Sequence, residues 1–422
     1  MNAHERHAMN SPGRAWLAAG ALLVAVACAT PLLARPQPRS GGPAVFHFAA
    51  GDRAENIPFA HDGQHIRLRA RVQGKDSLWI ALDTGASGPL FDEARMRAVG
   101  LEPRGEHQLQ GGGGPATGGS VENLRIELPG FEITGMTSAT LDLTGLGAQA
   151  GRPLDGVLGQ PVFDRCAVAI DYENRRLGIY DGKTYTYRGK GVILPLSFDH
   201  GLPYVTAKVT LPGRKPVQGK FVLDTGSSAY LIFTNGFVER ERALETLERT
   251  VVSRAHGVGG MIENPVGRVA RLELGPYTFE KPIGIFLGAG GHAAAEEAIG
   301  NIGGGILGRF NIIFDYPRKR MILEPNSRFD RPFESDMSGL ALASAPPDYR
   351  LVRVANVRED SPAAEAGLKT GDVVETIDGA PAGSIGLTTL KEWFKEDGRT
   401  FRLAVTRGGE RLDFSLTTRR AI

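Results

Sequence analysis

The chain has 422 residues, too many for one ordinary domain and enough for two or three compact ones with real cores. Hydrophobic residues at 41% and charged residues at 23% give a globular balance, and a formal charge of +2 leaves no electrostatic footprint for nucleic acid. Glycine is abundant, at 56 residues, and aromatics are modest at 7%, which together favour a turn-rich, mainly β protein over a helical bundle.

In chain order, residues 1–34 read as a targeting segment. Arg6 and Arg14 precede an uninterrupted apolar run over 15–29, and small residues then lead into the polar stretch RPQPRSGG. The run is short for a spanning helix. Simple cleavage and lipidation at Cys28, in a VAVAC stretch that loosely resembles a bacterial lipobox, both stay open. On either reading the mature protein is expected in the periplasm or cell envelope, with membrane association through the N-terminal segment or a lipidated Cys28 as one outcome. Cys166 is then the only thiol in the body of the chain, so no intramolecular disulfide is expected. It lies in the apolar run FDRCAVAID and reads as a small core residue.

Two stretches follow that repeat each other, at 45–190 and 191–325. In the first, 66–72 alternates like a half-buried strand, LWIALDTGASG ends an apolar strand in Asp83-Thr84-Gly85, and 121–128 alternates again. In the second, 204–211 alternates, GKFVLDTGSSA ends a strand in Asp224-Thr225-Gly226, 237–249 is the best helical candidate, and 266–274 alternates. Ser87 and Ser228 stand two residues after each Gly. Later, Val157-Leu158-Gly159 is answered by Ile306-Leu307-Gly308, and IDYENRRLGIY by FDYPRKRMILE; on this alignment the first copy carries five extra residues between its Gly and its Asp-Tyr. Each half also holds a Gly-rich segment, QLQGGGGPATGGSV and RAHGVGGMIENPVG, readable as paired flaps or as ordinary flexible loops. The Arg175-Arg176 and Arg318-Lys319-Arg320 clusters read as solvated hairpin tips.

Residues 326–336 are polar and turn-rich, and read as a linker. Over 337–420 the pattern changes: SPAAEAGL offers a Ser N-cap with Pro at the first helical position, then come a strand in KTGDVVETIDG, a helix-like LTTLKEWFKE and two strands. This stretch resembles a bacterial PDZ domain. The resemblance implies an α/β unit whose carboxylate-binding loop holds Gly339, Leu340, Ala341 and Leu342, and which binds a peptide carboxyl end or an extended segment by adding it as a strand to a sheet edge.

Residues 45–325 resemble the aspartic proteases throughout. The resemblance implies two pseudo-symmetric β-barrel lobes in one chain, each donating one carboxylate, Asp83 and Asp224, to a shared site. It implies loop support from Thr84, Gly85, Ser87, Thr225, Gly226, Ser227 and Ser228, with the threonine hydroxyls bracing the loops across the axis. Two carboxylates in contact cannot both ionise, so the pair holds one proton; the ionised member acts as base on a water and the other polarises the scissile carbonyl. Neither metal nor other cofactor is needed. Partners are then a peptide or protein substrate and a PDZ ligand, with no nucleic acid, and the site is complete in a monomer. Two Gly-rich hairpins and no Tyr-bearing flap look more like a retroviral-type dimer fused into one chain than like pepsin. A Ser hydroxyl at 227 would bond the Asp224 carboxylate where the first copy has Ala86, implying an optimum of roughly pH 4–6. A peptide-binding adaptor that no longer cuts is the competing function. The G-x-G-x-x-G match at 303–308 runs into the strand-like RFNIIFDY instead of a helix, which argues against a dinucleotide site.

Overall fold

The computed structural model describes residues 44–422 apart from 63–64, 76, 112 and 289–297. The targeting segment and Cys28 lie outside the described residues. No helix among the described residues is long and apolar enough to cross a membrane. The fold is mainly β, as composition and alternation predict.

The two lobes meet in a shared antiparallel sheet. Strand Cys166–Asp171 from the first lobe pairs with Phe310–Asp315 from the second, each backed by its own hairpin partner, Arg176–Asp181 and Arg320–Pro325. Ala169 and Ile313, which are equivalent positions of the repeat, are paired with each other. That self-pairing places a pseudo-twofold axis through them. Phe163 packs edge-on to Phe314 and stacks on Tyr316 beside it, with ring centroids 5.8 and 5.2 Å apart. Burying such rings is worth about 1.5–3 kcal/mol each. Cys166 is buried in the same core, and burial pushes its thiol up to about 12, the behaviour of a packing residue.

Within each lobe the same wiring recurs. Strand Ser77–Leu82 pairs antiparallel with His65–Val72 and parallel with Gly156–Leu158, while Leu90–Asp92 lies on the far side of Gly156–Leu158. Strand Val217–Asp224 pairs antiparallel with Leu202–Thr210 and parallel with Ala298–Gly303, with Leu231–Phe233 beyond. Parallel pairs cannot close by a tight turn, so each Asp-Thr-Gly is carried to a strand end inside the sheet and not at a hairpin tip.

This pairing corrects the alignment of the repeats. Leu82 pairs with Leu158 and Leu223 with Ile302, so the counterpart of Val157-Leu158-Gly159 is Asn301-Ile302-Gly303. Ile306 and Leu307 instead lie in the short helix Gly304–Leu307, the partner of helix Gln160–Arg165. The five-residue length difference disappears: Gly159 to Asp171 and Gly303 to Asp315 are both twelve residues. The apolar signature was hidden because Asn replaces Val.

Three other expectations change. The helix expected over 237–249 is the shorter Asn235–Arg240, capped by Thr234 and broken by a left-handed Arg242, followed by a 3-10 turn at Ala243–Thr246. Arg318 and Arg320 are not simply solvated tips; they pair with the fully buried Asp315 at 3.2 and 2.7 Å. Residues 326–336 are packed, with Phe329 and Phe333 against Phe279 and with Arg309 donating to the Phe329 and Arg331 carbonyls while lying 3.9 Å over the Phe333 ring.

The C-terminal unit has its own core, built on Leu342, Val354, Ile377, Leu390, Phe401 and Leu416. Its sheet runs from the edge strand Leu340–Ser344 through Val352–Val357 and Val373–Ile377 to Thr400–Arg407 and Glu410–Thr417. Ser361 caps helix Pro362–Glu365, as its sequence predicts, and helix Leu387–Trp393 flanks the edge strand.

Candidate active site

The two Asp-Thr-Gly loops meet across the axis through their threonines. The Thr84 N–H donates to Thr225 Oγ1 and the Thr225 N–H to Thr84 Oγ1, both at 3.0 Å. Each hydroxyl in turn donates to the carbonyl preceding the other lobe's Asp, Thr84 to Leu223 at 2.7 Å and Thr225 to Leu82 at 2.9 Å. All four bonds are buried and related by the pseudo-twofold axis. The two threonines thus tie the loops to each other across the axis.

Asp83 and Asp224 lie together inside this frame, each within reach of the other's carboxyl. The Gly85 N–H donates to Asp83 Oδ1 at 2.7 Å. Gly226 lies against the Asp83 carboxyl so closely that a Cβ would stand under 3.0 Å from its carbon and both oxygens, so only glycine admits the pair. Burial raises the Asp83 carboxyl to about 6, against the lowering bonds from Gly85 and its neighbours. Asp224 is raised well above the ordinary carboxylate range, first by burial and then by the charge of Asp83.

Residues 68–162, which hold Asp83, match the family model described as aspartyl protease. Residues 336–418 match the model of the PDZ domain. The C-terminal unit is a PDZ domain. No curated protein matches the chain. The matched protease segment stops before Asp224, but the twofold repeat of wiring and loop geometry extends the likeness to the second lobe.

The remaining site residues of the protease lobes divide. Ser227 is fully buried, but its Oγ accepts from the Ala229 N–H at 3.3 Å and does not bond Asp224. The donor expected there is supplied by Asn301, whose Nδ2 lies 3.3 Å from Asp224 Oδ2. Sequence reading missed Asn301, and the only signal for it was its position one before an aliphatic-Gly pair. Ser87 and Ser228 are half-buried at the loop ends.

Both Gly-rich segments are β-hairpins, Arg104–Gly111 with Gly114–Leu128 and Thr250–Gly257 with Gly260–Arg268. Their tips touch, with the Gly113 N–H donating to the Val258 carbonyl at 2.8 Å. A side chain at Gly111, Gly113 or Gly259 would collide with the opposite tip, which explains the glycine run. Val258 and Leu109 pack with Ala86, so the tips close over the aspartate loop of the first lobe. Both segments are thus ordered hairpins and not irregular loops.

In the PDZ domain, Gly339 needs its left-handed backbone, and a side chain there would strike Ser361. The loop's N–H groups are already bonded: Ser338 and Gly339 donate to the Asp336 carboxylate at 3.3 and 2.7 Å, and Leu340 to Ser338 Oγ at 2.9 Å. Leu340 and Leu342 turn into the PDZ core. Gly339, Leu340 and Ala341 border a cavity of about 300 Å³ that Ser228–Leu231 and the flap strand residues Val251–Arg254 close from the second lobe. The rest of the PDZ groove is covered by the first lobe. Lys391 donates to the Gln149 carbonyl at 2.9 Å, Arg152 bonds Thr388, and Gly151 abuts Leu387. On the other side, Arg254 of the second flap donates to Asn356 at 2.8 Å.

Proposed function

We propose that the protein is an aspartic endopeptidase of the cell envelope or periplasm, complete as a monomer. The observation that carries this reading is the reciprocal threonine grip that seats two buried aspartates side by side under closed flaps. Asp83, whose carboxylate accepts the Gly85 N–H, acts as base. It takes a proton from a water whose oxygen attacks the peptide carbonyl carbon, while Asp224 gives its proton to the carbonyl oxygen. Collapse of the resulting diol breaks the C–N bond, the leaving nitrogen takes a proton from Asp83, and Asp224 recovers its own. No covalent intermediate forms. A flexible peptide suits the site because the hairpins present backbone groups above it, which a substrate strand can use in place of their mutual contact.

The pH expectation follows the buried pair and not a Ser227 bond. Activity requires one proton on the pair, so the acid limb should rise as the first proton leaves near pH 6, the value reached by Asp83. Rate should fall again only when Asp224 loses its proton at higher pH. Mass spectrometry of a peptide library digested by the mature protein from pH 3 to 9 reads both limbs. An optimum at pH 4 would show that burial does not set the range, and absence of any cleavage would leave the adaptor function. Specific activity should hold constant on dilution.

For the PDZ domain we propose strand addition of an extended peptide along Leu340–Ser344, which requires that residues 147–152 move off the groove. Arg152→Ala removes the bond to Thr388 and should tighten binding of extended peptides about threefold to tenfold, measured by calorimetry. Unchanged affinity would place the ligand elsewhere.

A further inference from the structure

Asn301 occupies a position where the fold asks only for an apolar residue. Its twofold counterpart is Val157, which packs with Ala81, Ala86 and Leu90. Val157 pairs with Ala81 and Asn301 with Val222, each on the strand beside its lobe's aspartate. Asn301 is only 2% exposed, and a buried amide is costly unless it is bonded. Its Nδ2 reaches Asp224 Oδ2, and its Oδ1 has no hydrogen-bond partner among the described residues. Among the described residues no side chain of the first lobe answers this contact: apart from the Asp224 carboxyl, Asp83 is held by backbone N–H groups.

From this asymmetry we infer that Asn301 is a positioning residue that makes the two aspartates inequivalent, holding Asp224 through both of its protonation states. The inference rests on the aspartic dyad proposed above. An amide carries a donor and an acceptor on one planar end. Its N–H donates to Asp224 when that group is a carboxylate, and after a half-turn about Cβ–Cγ its Oδ1 accepts the O–H when Asp224 holds the shared proton. Asp224 changes state twice in each turnover, so one side chain can track it without any shift of the loop. A valine could do neither.

The test is Asn301→Val, which copies the first lobe's own solution, with Asn301→Ala as a second variant that cannot overpack. Losing the N–H donor disfavours ionised Asp224. The alkaline limb of the pH–rate profile should therefore move up by about one pH unit. The value of kcat should fall about tenfold, with KM changed less than twofold. Carboxyl titrations of 13C-aspartate-labelled protein, assigned with Asp83→Asn and Asp224→Asn, give a readout independent of peptidase activity. In both Asn301 variants Asp224 should titrate higher while the groups outside the site are unmoved. Titration curves of Asp224 that coincide with those of the parent protein would overturn the inference, even in an active enzyme. Full activity in Asp224→Asn would instead overturn the dyad, and the carboxyl titration would still decide whether Asn301 bonds Asp224.

Discussion

Asp83→Asn and Asp224→Asn should each lower kcat/KM by on the order of 10⁴-fold or more, because residues that act as one unit fail together. Asparagine preserves the size of the side chain and the fit against Gly226, but it can neither take a proton from water nor share one across the pair. The same variants should raise thermal stability near pH 7. Both carboxyls are raised by burial, so the folded protein binds more protons than the unfolded chain between the ordinary carboxylate value and the raised one. Stability therefore falls as pH rises through that interval, and neutral asparagine removes the loss. Calorimetric melting at pH 4 and pH 7 beside peptide kinetics measures both effects. A variant at either position with near-parental turnover would rule out a two-carboxylate mechanism, and a drop in melting temperature at pH 7 would show that the buried charge is already compensated.

Thr84→Val should destabilise the protein by about 2–6 kcal/mol, since it strands the Thr225 N–H and the Leu223 carbonyl in a buried site at about 1–3 kcal/mol each. Thr225→Val should do the same through the Thr84 N–H and the Leu82 carbonyl. The two losses should be less than additive: once the loops separate, the second threonine has little left to hold, and coupling of 0.5–3 kcal/mol is typical of one shared network. Urea unfolding of both single variants and the double variant measures the cycle. Activity should fall by about 10²-fold in each even where the protein stays folded, because a misplacement near 1 Å between the carboxyls breaks their shared proton geometry. Additive losses, with the kinetics unchanged, would show that the two loops are held independently of the grip.

The wiring shows how much a linear reading can carry. Two apolar strands each ending in Asp-Thr-Gly, and an Asp-Tyr hairpin following each in the same order, were enough to expect a duplicated, mainly β fold with one carboxylate per half. These are local signals: strand alternation, a turn and a repeat are all written in neighbouring residues. The PDZ domain was legible for the same reason, through the Ser361 cap and its glycine stops.

What the sequence could not carry is the partner of each side chain across the fold. The family resemblance implied Ser227 as the donor to Asp224, but the tight loop turns its hydroxyl to the Ala229 N–H. Asn301, seventy-seven residues on, fills that role. The flaps could be read as loops or lids, and only the folded chain brings their tips together and lays the first lobe across the PDZ groove. In this chain the residue types determined which elements form and which carboxylates are available. The tertiary structure alone decided which atoms face those carboxylates, since a hydrogen bond depends on position to within a few tenths of an ångström and nothing in the spacing of distant residues fixes that.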